Sequence, residues 1–248
     1  FQHVLYEHTA ERQQQRLEVL NRAFRHNMRT NTQVIMGNAE YLATHNSETK
    51  AEKVQEKARE IEDLSSNIRT VLDIFERGRK PPQPVNLHTV LRECIRVVQE
   101  EHPDVSLEYN GAPRDHYVDR TLDDILFNLV ENAAKHNTNP DPTVWIDVSS
   151  DGDHVQISIR DNGPGIDDQE LALVNNKTET PLEHGTGFGL AIALWGTESV
   201  SGQIDFEEND PTGLVVTVDV PVLSRGDSDS VTAPDSEPRA DPPVVGER

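Results

Sequence analysis

Between Leu17 and Phe75 the apolar residues recur at spacings of three, four and seven, and this narrow stripe leaves the first third of the chain few ways to fold. Leu17, Leu20, Phe24, Met28, Ile35 and Leu42 fall along one side of a helix. The run His45-Asn-Ser-Glu-Thr-Lys50 breaks the pattern, and Ile61, Leu64, Ile68, Val71 and Phe75 then resume it with the alternating spacing of a coiled-coil seam. Two helices joined by a short loop form an antiparallel hairpin whose single apolar face is too little to stand alone. A second copy would cover it, so residues 17–80 are expected to form a homodimer, a four-helix bundle through the helical hairpin.

Gly78 and the cluster Pro81, Pro82 and Pro84 end the second helix and mark a linker. The period then changes. Residues 88–100, 120–136 and 188–200 read as helices, whereas Val144, Ile146 and Val148, then Val155, Ile157 and Ile159, then Val216, Val218 and Val220 alternate as half-buried strands. Residues 83–222 therefore form an α/β layer, and the whole chain is α+β in class. Residues 225–248 are Ser, Pro and acid with little to bury, which predicts a disordered acidic tail.

The formal charge is −21, from 44 acidic against 23 basic residues, so phosphate backbones are repelled and nucleic-acid binding is disfavoured. No apolar run approaches a membrane span, which predicts no membrane contact within these residues and a cytoplasmic location. Only six of the basic residues are Lys, and this acid-rich, Lys-poor balance resembles proteins of salt-loving microbes. Cys94, the one cysteine, lies in the apolar helical run LRECIRVV and reads as a buried structural thiol. Neither paired cysteines nor HExxH is present, so a structural metal is not expected.

Three segments of the second half carry chemistry jointly. In Asn128-Leu-Val-Glu-Asn132-Ala-Ala-Lys135 the helical wheel sets Asn128, Asn132 and Lys135 on one flank, off a buried stripe of Leu122, Ile125, Leu126, Leu129 and Ala133. Amide oxygens are hard neutral ligands for Mg²⁺, and Lys135 can meet a phosphate. Asp161-Asn-Gly163-Pro-Gly165 follows a strand, where a carboxylate can accept from an exocyclic amine while the glycines let backbone approach a flat ligand. Gly185-Thr-Gly187-Phe-Gly189 opens a helix, and its free amides favour phosphate. Each segment alone also reads as an ordinary polar face or turn.

In this order the three segments resemble the ATP-binding domain shared by histidine kinases, gyrase, MutL and the ninety-kilodalton heat-shock chaperones. That resemblance covers residues 83–222 and implies a two-layer sandwich with a mixed sheet. By the same resemblance Asn128 and Asn132 serve Mg²⁺ and the phosphates of ATP, and Asp161 holds adenine. Gly163 and Gly165 shape the adenine pocket, residues 167–184 form a lid, and Gly185, Gly187 and Gly189 form its hinge and a phosphate cradle. The ATPases of this superfamily carry a water-activating Glu where this chain has Asn128, which favours phosphoryl transfer over hydrolysis. No Phe-rich box stands between Ile166 and Gly185, and the run TPLEHGTGFGL is similar to haloarchaeal histidine kinases. Lys177 in the lid reads as a solvated lysine or a phosphate contact.

The first half extends the resemblance. Phe24-Arg-His26-Asn-Met-Arg-Thr30-Asn is similar to the phosphoacceptor box H-E-x-R-T-P, with Asn27 and Asn31 in place of the acid and the proline. The wheel sets His26 opposite the apolar stripe, with Arg22 and Arg29 on either side. The resemblance implies that His26 takes the γ-phosphate of ATP and passes it to an Asp of a response regulator, and that residues 1–16 continue from an upstream sensor region. It further implies that Thr30 helps dephosphorylate the regulator, and Asn27, unable to take a proton, predicts slow autophosphorylation. A hydrolytic ATPase and a nucleotide-binding scaffold that transfers nothing are the alternatives.

Overall fold

The structure, a computed structural model, describes residues 2–78, 80–111, 115–166, 171 and 188–224, with side chains from Gln15 onward. Helices α1 (Gln2–Leu42) and α2 (Glu48–Arg77) form the expected antiparallel hairpin. Leu20, Ala23, Leu64, Val71, Ile74 and Phe75 are buried in it, while Leu17, Met36, Tyr41 and Leu72 remain exposed.

The rest of the described chain runs β1 (Pro84–Asn86), α3 (Leu87–Glu101), β2 (Ser106–Asn110), β3 (Tyr117–Asp119), α4 (Thr121–Lys135), β4 (Thr143–Ser150), β5 (His154–Asp161), α5 (Phe188–Ser199), β6 (Gln203–Glu208) and β7 (Leu214–Pro221). Five strands make one mixed sheet in the order β2-β4-β5-β7-β6, with β2 and β4 parallel and the remaining pairs antiparallel. Register lines Tyr109, Ile146, Ile159, Val216 and Phe206 across its apolar face. Helices α3, α4 and α5 cover that face, and Val144, Ile146, Val155, Ile157, Val218, Leu122, Ile125 and Leu126 form the core between the layers. The period of two carries the same face from Val155 through Ile157 and Ile159 to Asp161, so the sheet delivers a carboxylate to the edge of an apolar core.

Four strands were not foreseen. Strands β1 and β3 are three residues each and pair only with one another, too short for any period to show. Strands β2 (SLEYN) and β6 (QIDFEE) lie at the two edges of the sheet and carry polar and acidic residues between their few apolar ones. The expected buried stripe on α4 also needs correction. Val130 and Ala134 are buried and Ala133 only half-buried, because α4 is packed on several sides rather than one.

Hairpin and α/β layer share a second core. Phe188, Ala191, Ile192 and Trp195 of α5 pack against Leu20, Ala23, Leu64, Val71, Ile74 and Phe75. The Phe75 and Trp195 rings lie 5.6 Å apart, and the Arg16 guanidinium stands 5.4 Å from the Trp195 ring while pairing with Glu198. Gly196 allows this close approach, since a Cβ there would lie 2.7 Å from Ile125 and 3.4 Å from Ile74.

Candidate active site

Helix α4 begins where the Asp119 carboxylate receives the Thr121 amide at 2.8 Å, and Asp123 and Asp124 occupy its first turn, where the helix dipole favours acid. One turn and two turns further, Asn128 and Asn132 face the start of α5. The Asn132 side-chain amide donates to Asn128 Oδ1 at 3.1 Å. A Cβ on Gly189 would lie 2.5 Å from Asn132 Nδ2 and 3.3 Å from Asn128 Oδ1, so the absence of a side chain at 189 is what lets the pair sit there. Asn128 is only 7% exposed, because α5 roofs it. Lys135 is directed to the hairpin, where its Nζ meets Asp63 Oδ2 at 2.6 Å. Burial works to lower the Lys135 pKa, but the hydrogen-bonded Asp63 carboxylate, with Glu131 and Glu101 nearby, carries it above the ordinary lysine value.

Asp161 ends β5 with 9% exposure, and its Oδ1 accepts from the Gly163 amide at 2.8 Å. Burial raises its pKa above the ordinary aspartate value, outweighing the amides of Gly163 and Leu214, which pull it down. The next peptide is tied on one side by asparagines. Asn162 Oδ1 accepts from Asn137 Nδ2 and from the Thr143 amide, both at 2.9 Å, and its carbonyl accepts from Asn139 Nδ2 at 2.9 Å. Gly163 lies against Asn137, just past the end of α4, which joins the carboxylate turn to the asparagine helix. Gly165 has φ +79°, the left-handed region that glycine enters without strain.

His26 is exposed on α1, as are Arg22 and Arg29, while Asn27 is half-buried. Thr30 is exposed and its hydroxyl donates to the His26 carbonyl at 3.0 Å. The structure thus brings Asn128, Asn132 and Gly189 together, and Asn137, just past the end of α4, ties the turn of Asp161, Gly163 and Gly165 to the same helix. No hydrogen bond or ion pair among the described residues joins His26 to that group. Gly185, Gly187, Lys177, the lid of residues 167–184 and the tail of residues 225–248 lie outside the described residues. Cys94 is buried, and burial pushes its thiol up to about 12, an inert structural cysteine.

Sequence reasoning missed Asp63, Asn137, Asn139, Asn162 and Asn209. A turn signal was available for the first two asparagines, since HNTNPDP at 136–142 gathers residues that hydrogen-bond their own backbone. Nothing local marks Asp63 or Asn209, whose partners are far away in the chain.

Residues 117–224 match the family model described as Histidine kinase-, DNA gyrase B-, and HSP90-like ATPase. Among curated proteins, the signal transduction histidine-protein kinase AfsQ2 of Streptomyces coelicolor is 35% identical over 48% of this chain and 22% of its own length. The histidine-protein kinase/phosphatase MprB of Mycolicibacterium paratuberculosis is 27% identical over 75% of this chain and 37% of its own length. The chain thus spans well under half the length of these relatives. Among solved structures, histidine kinase ThkA in complex with response regulator protein TrrA has the same fold, with a TM-score of 0.66 at 20% identity, covering 88% of this chain and 67% of that one.

Proposed function

We propose that this chain, whose relatives are sensor histidine kinases, is the kinase core of such a protein: it binds MgATP in the α/β layer, phosphorylates His26, and passes the phosphoryl group to an aspartate of a response regulator. The observation that carries the reading is the Asn128–Asn132 pair seated against Gly189. It presents an amide, not a carboxylate, where a hydrolase needs a base for water.

Asn132 is the residue best fitted to hold Mg²⁺. Its Nδ2 is spent on Asn128, and its Oδ1 accepts from no described residue. Asn128 fixes that amide, which occupies the space that a Cβ on Gly189 would need. Bound Mg²⁺ would supply charge neutralisation on the phosphates. Asp161 accepts from the exocyclic amine of adenine, Gly163 and Gly165 let the base lie flat, and Gly185 and Gly187 offer amides to phosphate. Lys135 leaves Asp63 to meet a phosphate.

His26 attacks in line: a nitrogen–phosphorus bond forms at the γ-phosphorus, the bond to the bridging oxygen breaks, and ADP leaves. Positioning and charge neutralisation supply most of the acceleration. Arg22 and Arg29 flank the imidazole and offer charge to the phosphoryl group or an acidic regulator. Two copies pair through the hairpin, which the exposed Leu17, Met36 and Leu72 support. A sedimentation mass of one chain at micromolar concentration would remove that pairing. No described helix is long and apolar enough to cross a membrane, and a cytosolic setting suits an ATP-dependent enzyme. Incubation with γ-labelled ATP separates the readings. Acid-labile, base-stable label on the protein, chased onto a receiver domain, supports the kinase; release of free phosphate alone means an ATPase, and neither result means a scaffold.

A further inference from the structure

The β6–β7 turn is pressed against the carboxylate end of β5. Asn209 Nδ2 donates to the Asp161 carbonyl at 2.7 Å, and the Asn209 amide closes its own turn on the Gly213 carbonyl at 3.0 Å. Gly213 has φ +118°, and a Cβ there would lie 2.0 Å from the Asp161 carbonyl oxygen. Gly165 meets the same turn from the other side, its Cβ position 3.1 Å from the Gly213 carbonyl. Asn137 and Asn139 tie the following peptide, so the Asp161–Asn162 unit is gripped from two directions. The asparagines at 137 and 139 hold Asn162; Asn209 alone among the described side chains holds the backbone of Asp161 itself.

A carboxylate that reads an exocyclic amine must be held to within a fraction of an ångström, and a side chain swings with its own peptide plane. We infer that Asn209, from the turn between β6 and β7, is a positioning residue that fixes the peptide of Asp161 and thereby sets the preference of the pocket for a purine bearing a 6-amino group. This rests on the assignment of Asp161 to adenine. Asn209 does not touch the base; it acts through the Asp161 carbonyl.

The test compares affinities for ATP and for purine riboside triphosphate, which lacks the exocyclic amine, by calorimetry with Mg²⁺. The proteins are wild type, Asp161→Ala, Asn209→Ala and Asn209→Asp. Asn209→Asp keeps the side-chain volume and removes both donors, so an unfolded alanine variant does not end the test. Asn209 variants should weaken ATP about three- to tenfold, the scale of one hydrogen bond, while leaving the analogue nearly unchanged. Equal weakening of both nucleotides would reduce Asn209 to a structural prop and overturn the inference, as would an unchanged ratio. If Asp161→Ala itself leaves the ratio intact, the adenine assignment fails instead. If Asp161→Ala collapses the ratio and the Asn209 variants do not, only the inference about Asn209 fails.

Discussion

Asp161 shows how one residue serves both fold and site. It lies on the core face of β5, where burial raises its pKa above the ordinary aspartate value, and the proposed contact to adenine uses the same carboxylate. A raised folded value means that Asp161 lends stability below its unfolded pKa and withdraws it as pH rises through the folded one. Adenine recognition needs the ionised form, so MgATP affinity should fall on acidification while ordinary carboxylates are still charged. Calorimetry through the acid range checks this, and affinity that falls only once ordinary carboxylates protonate contradicts it. Gly189 makes a second demand at this scale. Because its Cβ position lies 2.5 Å from Asn132 Nδ2, Gly189→Ala should push the amide aside and weaken MgATP at least tenfold, with little effect on nucleotide bound without Mg²⁺. Equal loss with and without the metal would mean that Asn132 does not serve it.

At the scale of elements, what was legible in the sequence depended on how far a pattern extends. Helices α1 to α5 and strands β4, β5 and β7 announce themselves because each holds one period over several residues against one core. Strands β1, β2, β3 and β6 do not, since pairing partners far along the chain decide them, and a three-residue strand carries no period. The same holds for the site. Asn128, Asn132, Asp161, Gly163, Gly165 and Gly189 stand in local motifs, while Asn209, whose partner is reached by a fold-back, does not. The burial of Asn128 and the turning of Lys135 towards Asp63 both come from packing between elements, which a helical wheel cannot contain. Helix α5 is the element on which the two halves meet. Trp195→Ala should therefore cost about 3 kcal/mol and split thermal unfolding into two transitions, as hairpin and α/β layer lose the largest side chain of their shared core. A single transition at the wild-type temperature would show that the shared core is not what couples them.

For the whole molecule, the charge of −21 is the dominant global property. Screening of that self-repulsion should raise the melting temperature as KCl approaches molar concentrations. A flat or falling melting curve with KCl speaks against it. Against this acidic background, Arg22, Arg25 and Arg29 gather around the exposed His26, a cationic strip suited to a phosphoryl group and an acidic partner. In the proposed mechanism the α/β layer holds the nucleotide and the hairpin supplies the nucleophile. The measurement that meets it most directly is labelling of wild type and His26→Gln with γ-labelled ATP, alongside calorimetry of MgATP binding to each. Acid-labile, base-stable label is expected on the wild type and none on His26→Gln, with the same nucleotide affinity for both; label that persists on the variant would rule out His26 as the phosphoacceptor.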